Sequence, residues 1–330
     1  MTTEASPAAD RPLPPIDAVV IGRNEGARLI ACLDSLAGQV RRIVYVDSGS
    51  TDGSVAAARA RGAEVVELDL TRPFTAARAR NAGLARLGAA EREDALVQMV
   101  DGDCSLDPDW LRRAARFLQE NPRVAVVCGR RRERHPDASL YNRLCDIEWD
   151  TPPGEALACG GDALMRRAAL DAVGGYRETL IAGEEPELCL RLRRESWAVW
   201  RLEAEMTLHD AQMTRFSQWW RRSRRAGHAF AEGAYLHGAA PERHWVRETR
   251  RALLWGAVLP LLLLTFLPLF PTGAALVALV YLLQTLRLAR RDGFVRAGFS
   301  LLGKLAEAQG VLEYHLNRLA ARNRGLIEYK

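Results

Sequence analysis

Short apolar runs alternate with segments of helical period over the first 120 residues, and this alternation narrows the fold more than any other feature of the chain. The runs are DAVVIG (17–22), RIVYVD (42–47), AEVVEL (63–68) and ALVQMVD (95–101), each bounded by Gly, Asp or Ser. Their length and β-branched content read as buried strands. Between and after them come ARLIACLDSL, DGSVAAARARG, TAARARNAGLARLG and PDWLRRAARFLQE, whose apolar residues recur at helical spacing. Strand and helix in strict alternation predict an α/β fold with a doubly wound, mostly parallel sheet, covered by helices on both faces, whose ligands bind at the carboxyl ends of the strands. The polar residues at those ends are Asn24, Glu25, Asp47, Asp101 and Asp103.

Two nucleotide-binding patterns are excluded at once, because IGRNEGARL after the first strand is neither G-x-G-x-x-G nor a P-loop. The six cysteines are scattered without a C-x-x-C pair, which argues for free thiols in a reducing compartment, the cytosol. Net charge is +5 and all but two of the 46 basic residues are arginine, which suits anionic partners and equally reflects a compositional habit. Residues 1–15, MTTEASPAADRPLPP, carry two acids and four prolines and no apolar stretch, so they read as a flexible leader.

The fourth run ends in Asp101-Gly102-Asp103, two like charges around a glycine. Such a pair can turn both carboxylates to one side and coordinate a hard divalent cation, or it can serve the start of the helix that follows. Asp107 and Asp109 in SLDPDW stand at cap positions, which assigns the cap to them and the site to Asp101 and Asp103.

Six segments carry a resemblance: VVIGRNEGARLIACLDSL, IVYVDSGSTDGS, ARARNAGL, VQMVDGDCSLDPDWL, ALMRRAALDAVGGYRE and GEEPELCLRLRRESWAVWRL, in that order between residues 16 and 203. The chain resembles family 2 glycosyltransferases of the GT-A fold, of a membrane-anchored bacterial type. The resemblance implies an inverting enzyme that takes a sugar from a nucleotide diphosphate sugar, with Asp101 and Asp103 holding Mg²⁺ or Mn²⁺ against the pyrophosphate. It implies that Asp47 contacts the nucleotide base, that Asn24 and Glu25 frame it, and that Arg80 meets the pyrophosphate or nucleotide; an arginine on a helix is otherwise a solvated face. Gly160, Gly161 and Asp162 match a loop under the donor sugar or acceptor, although Asp162 equally suits a turn. Glu185 occupies the position of the general base, where the family usually has Asp; Glu184 is the second candidate. Structurally, Glu184, Glu185 and Glu187 also suit the first turn of an amphipathic helix with Pro186. Some GT-A enzymes complete the metal shell with a late histidine, and His209 is the best placed of the six; a lone histidine is more often structural.

Residues 252–270, ALLWGAVLPLLLLTFLPLF, hold no charge over 19 positions, enough to cross most of a ~30 Å hydrocarbon core. A second apolar stretch, 272–286, follows Pro271. Arginines precede the first (Arg247, Arg250, Arg251) and follow the second (Arg287, Arg290, Arg291), which places both ends in the cytoplasm at the inner membrane face. QWWRRS (218–223) resembles the Q-x-x-R-W motif of processive members without its final Trp, so processivity is not inferred. The resulting division is a leader (1–15), a catalytic domain (16–238) and a C-terminal membrane region (239–330) with a hairpin at about 252–289 and then an amphipathic helix. The expected partners are a nucleotide-sugar donor, a lipid-linked or saccharide acceptor and the membrane; nucleic acid is not expected, because the arginine clusters lack a recognisable module. A catalytically silent membrane-anchored scaffold is the alternative, resting on the Glu185 departure.

Overall fold

A computed structural model describes residues 12–89 and 93–320, so the leader expected over 1–15 lies mostly outside the described residues. The chain divides into two compact units, residues 1–179 with 184–212 and residues 180–183 with 213–330. The cut falls after Gln212, earlier than the boundary at 238 expected from the sequence, because the helix over 216–237 packs with the C-terminal helices.

The first unit is built on a nine-stranded sheet. Its strands are β1 (Ile16–Gly22), β2 (Arg42–Asp47), β3 (Glu64–Glu67), β4 (Leu96–Asp101), β5 (Cys104–Leu106), β6 (Val124–Glu133), β7 (Gly154–Ala156), β8 (Ala163–Arg166) and β9 (Ala198–His209). Helices α1 (Ala27–Leu36), α2 (Ser54–Ala60), α3 (Ala76–Leu87), α4 (Trp110–Glu120), α5 (Leu140–Glu148), α6 (Arg167–Ala172) and α7 (Glu184–Arg194) complete it. The strand order is β3-β2-β1-β4-β8-β6-β9-β5, with β7 on β9. The first four strands are parallel neighbours, as the alternation predicts. The valines of β1, β2 and β4 are buried, as a sheet covered on both faces requires, while those of β3 at the edge are half-buried. The other half is mixed: β8 runs antiparallel to β4 and β6, and β9 runs parallel to β6 and antiparallel to β5 and β7.

Register decides which polar residues meet. Gly22 pairs with Asp47 and Ile21 with Asp101, so the carboxyl ends of β1, β2 and β4 finish level and form a crest. Because β8 opposes β4, with Met99 facing Ala163, the residue just before β8, Asp162, arrives beside the end of β4. Glu133 pairs with His209 across β6 and β9, and Cys104 pairs with His209 across β5 and β9. His209 is thereby fixed between the end of β6 and the strand that follows Asp103.

Helix α3 sits against β1 through Gly83, where a Cβ would fall 2.3 Å from Val19 Cγ1. Thr75 caps this helix by accepting from Arg78 N at 3.1 Å. At α4 the cap differs from the sequence reading: Asp107 Oδ1 accepts from Asp109 N at 2.9 Å, while Asp109 makes no side-chain cap bond and pairs with Arg112 instead.

The second unit is helical: α8 (Phe216–His237), α9 (Val246–Leu253) continuing through a π-helical turn (Leu254–Val258) into α10 (Leu259–Leu269), then α11 (Pro271–Asp292) and α12 (Phe294–Leu319). Glycines let α8 and α12 touch backbone to backbone; a Cβ at Gly227 would fall 2.0 Å from Glu307 O and one at Gly310 2.0 Å from Arg224 O. Residues 246–269 and 271–292 are two helices long and apolar enough to cross a membrane. Leucines on the first of them face outward, with Leu264 69% and Leu267 63% exposed.

Gly83→Leu tests the seating of α3. Overpacking against Val19 is expected to lower stability by ~1–3 kcal/mol, read as a fall of roughly 2–4 °C in Tm per kcal/mol. An unchanged melting curve would show that the helix is free to shift.

Candidate active site

The loops after β1 and β2 are braided together by the residues the sequence assigns to the donor. Asp47, 3% exposed, accepts from Tyr45 Oη at 2.9 Å, Gly49 N at 2.9 Å and Ser50 N at 2.8 Å. Asn24, left-handed at φ 56°, donates from its backbone N to Ser50 Oγ at 2.9 Å and accepts from Thr51 N at 2.7 Å. Asparagine tolerates that conformation better than most residues. Glu25 Oε2 pairs with Arg28 at 2.7 Å. These three side chains therefore shape the crest loops, whatever they bind.

Arg80 is the centre of the site. It projects from α3 and is 3% exposed, so it is not on a solvated face. Its Nη1 lies 2.9 Å from Glu184 Oε1 and 2.9 Å from Glu185 Oε1, while Nη2 donates to Asp101 Oδ1 at 2.9 Å. The Tyr176 ring lies 5.6 Å beneath the guanidinium. Asn81, the next residue, holds that ring's strand of chain, donating to Tyr176 O and accepting from Tyr176 N, both at 2.8 Å. Gly161 is required beside this pair, since a Cβ there would fall 2.7 Å from both Arg80 Nη2 and Asp101 Oδ2.

The two aspartates of D-G-D part company. Asp101 turns to arginines: Oδ1 to Arg80 and Oδ2 to Arg131 Nη2 at 3.0 Å. Asp103, 3% exposed, turns the other way, with Oδ2 3.3 Å from His209 Nε2. His209 Nδ1 lies 3.5 Å from Glu133 Oε2, so a second carboxylate orients the imidazole and leaves Nε2 toward Asp103. Burial, then the charge of Arg131, holds the His209 pKa below its ordinary value, so the ring is neutral and available as a ligand. Asp162, fully buried, accepts from Asp101 N at 3.0 Å and from Thr207 Oγ1 at 2.9 Å.

Among the described residues, Asp103, Cys104 and His209 gather ligand atoms within 4.8 Å of one another, and Asp101, Cys104 and Asp162 form a second such group. Burial pushes the Cys104 thiol well above its ordinary range, against the pull of Arg131, so it stays protonated. A carboxylate oxygen with a neutral imidazole nitrogen suits Mn²⁺ or Mg²⁺. The Asp103 and His209 pair therefore fits a divalent ion. Asp101 faces two guanidiniums instead.

The three acids at the start of α7 separate in the same way. Glu187 is tied to Arg177 at 3.0 Å and Arg191 at 2.8 Å and is structural. Glu184 is 4% exposed and Glu185 12%, both on Arg80. The Glu185 pKa is pushed up to about 7, by burial first and by the neighbouring charge of Glu184 second, with Arg80 opposing.

Sequence reasoning missed Arg131, Glu133 and Trp149. Arg131 lies 3.2 Å from Asp162 Oδ2 through Nε, donates to Cys104 Sγ at 3.0 Å, and has the Trp149 ring 5.2 Å from its guanidinium carbon. Trp149 also meets the His209 ring edge-on at 4.8 Å. The available signal was strand alternation in CGRRRERH, which sends Arg131 and Glu133 to one face and Arg132 to the other.

Residues 17–174 match the family model for glycosyl transferase family 2. The chain is 25% identical over 243 residues to the beta-monoglucosyldiacylglycerol synthase of Synechocystis sp., covering 69% of this chain and 49% of that protein. It is 29% identical over 112 residues to glucomannan 4-beta-mannosyltransferase 2 of Arabidopsis thaliana, covering 31% of this chain and 21% of that protein. The chain thus spans about half, or less, of the length of these curated relatives. Its fold is similar to that of the mannosyltransferase PcManGT from Pyrobaculum calidifontis, solved with GDP-Man and Mn²⁺, at a TM-score of 0.62 and 20% identity over 92% of this chain and 91% of that one.

Arg80→Met leaves Asp101, Glu184 and Glu185 facing one another without their shared cation. A loss of ~3–5 kcal/mol is expected. Without Arg80 the folded carboxyls hold protons more tightly than the unfolded chain does, so the deficit is largest at alkaline pH and shrinks on acidification. Melting curves of both proteins across pH check this; a deficit that does not change with pH would contradict the charge argument.

Proposed function

We propose, from the match of residues 17–174 to the family model for glycosyl transferase family 2, that the chain is an inverting transferase of that family moving a sugar from a nucleotide diphosphate sugar to an acceptor hydroxyl or phosphate. The observation that carries this reading is the crest itself, where Asp47, Arg80, Asp101, Asp103, His209 and Glu185 arrive from separate elements at one edge of the sheet. Asp47 and the Asn24 and Glu25 loop form the cradle for the nucleoside. Gly161 and Asp162 lie against Asp101 where the donor sugar would rest.

Asp103 and His209 are the residues that would hold Mg²⁺ or Mn²⁺. When bound, such an ion neutralises the charge that develops on the departing diphosphate. The chain's own groups do the rest. Glu185 takes the proton of the acceptor as it attacks the face opposite the leaving group. Arg80 holds Glu185 and Glu184 in place, and the helix start presents them at the crest. A carboxylate poised near neutrality is well matched to that task.

The acceptor is lipid-linked and the protein works at the cytoplasmic membrane face. Two outward-facing apolar helices flanked by arginines support this, as does the Synechocystis relative, whose name places a diacylglycerol in its product.

Glu185→Gln is expected to lower kcat by roughly 10²–10⁴, with Asp103→Ala losing the response to Mn²⁺. Equal transfer rates in wild type and both variants would leave a silent scaffold. Since only ionised Glu185 can act as base, the wild-type rate should climb with pH to about 7 and then level off. The sign for stability is opposite: a folded pKa above the unfolded one stabilises at low pH, and that contribution is lost as pH rises through about 7. For the acceptor, transfer to lipid-linked acceptors in vesicles is compared with transfer to soluble sugars; exclusive use of soluble acceptors by a protein that stays out of the membrane fraction defeats this part of the reading.

A further inference from the structure

Cys104 belongs to two groups of potential ligands, Asp103 with His209 on one side and Asp101 with Asp162 on the other. By charge alone the second group is the stronger attractor, with two carboxylates to the first group's one. Asp162 is fully buried, where an uncompensated charge is costly. A divalent ion offered only these groups would favour Asp101 and Asp162.

Arg131 prevents that. Its Nη2 donates to Asp101 Oδ2 at 3.0 Å and to Cys104 Sγ at 3.0 Å, and its Nε lies 3.2 Å from Asp162 Oδ2, so one guanidinium reaches all three members of the group. A guanidinium keeps its charge at any pH a protein meets, and its planar fork can span two carboxylates at once. The Trp149 ring lies 5.2 Å from the guanidinium carbon and helps hold the group in place. Arg80 covers the other oxygen of Asp101.

We propose that Arg131 is a built-in counter-cation, filling the Asp101, Cys104 and Asp162 cluster and thereby confining the divalent ion to Asp103 and His209. The inference rests on the cation reading given above and makes Arg131 a positioning residue for it. It also assigns Asp101 a role other than the ligand role that the D-x-D resemblance implies: Asp101 gathers two guanidiniums at the crest while Asp103 takes the metal.

The test counts bound Mn²⁺ by electron paramagnetic resonance on the full chain in detergent, with no donor present. Arg131→Met is expected to bind about one more Mn²⁺ per chain than the wild type, and methylguanidinium, which can refill the cluster, is expected to bring the count back. Should Arg131→Met fail to fold, Arg131→Lys carries the test, because a single ammonium cannot span both carboxylates and the extra ion is expected again, more weakly held. Equal counts in wild type and the folded variant overturn the proposal, as does a gained ion that methylguanidinium leaves in place. The wild-type count tests the cation reading separately: a wild type that binds no Mn²⁺ defeats that reading, and the difference between variant and wild type still decides the role of Arg131.

Discussion

The crest depends on one buried guanidinium. Three carboxylates, from β4 and from the first turn of α7, converge within hydrogen-bonding distance of Arg80. Left alone they would repel one another in a poorly solvated place, and at least one would protonate. With Arg80 among them, the end of β4 and the start of α7 are held together by charge, although more than 80 residues separate them. The balance is incomplete: Asp101 also meets Arg131, while Glu184 and Glu185 both rely on Arg80, and burial with the charge of Glu184 raises the pKa of Glu185, the more exposed of the two helix acids. The same imbalance that costs stability leaves a carboxylate able to exchange a proton near neutral pH.

Sheet topology does the remaining placement. A purely parallel sheet would bring Asp47 and Asp101 to one edge and stop there. The reversal at β8 adds Asp162 from the opposite direction, and the return of β9 between β6 and β5 delivers His209 to Asp103. Two arginine and carboxylate clusters then share the site, one around Arg80 and one around Arg131, joined through Asp101.

Most of the parallel half was legible in sequence because its signals are local: four buried runs, helical spacing between them, and acids at strand ends. The family resemblance added the positions of Glu184, Glu185 and His209, which no local pattern distinguishes from a helix start and a core histidine. The directions of side chains were not legible. Asp101 and Asp103 stand two residues apart and looked equivalent, yet the register of β8 and β9 gives one arginines and the other a histidine. Arg80 was assigned to the pyrophosphate or nucleotide by resemblance alone, and its pairing with Glu184 and Glu185, far along the chain, was not legible. Arg131 sat in a run of arginines whose alternation was the only hint, and Asp109 resembled a cap, yet it is Asp107 whose carboxylate accepts from the backbone N of Asp109. Long-range pairing, which propensity and periodicity do not encode, accounts for each of these.

The near absence of lysine, read from composition as a habit of the chain, has a structural consequence at this site. Arg80 bonds through two separate nitrogens in two directions, to α7 and to β4, and Arg131 uses Nη2 and Nε to span Asp101 and Asp162. A lysine ammonium is a compact point charge on a flexible stem, and it would have to choose one direction or sit between them with poorer geometry. Planarity matters as well, since Tyr176 lies beneath one guanidinium and Trp149 beside the other. Each arginine therefore sets distances between elements as well as neutralising charge. Because the two share Asp101, a displacement of either one changes the environment of the other.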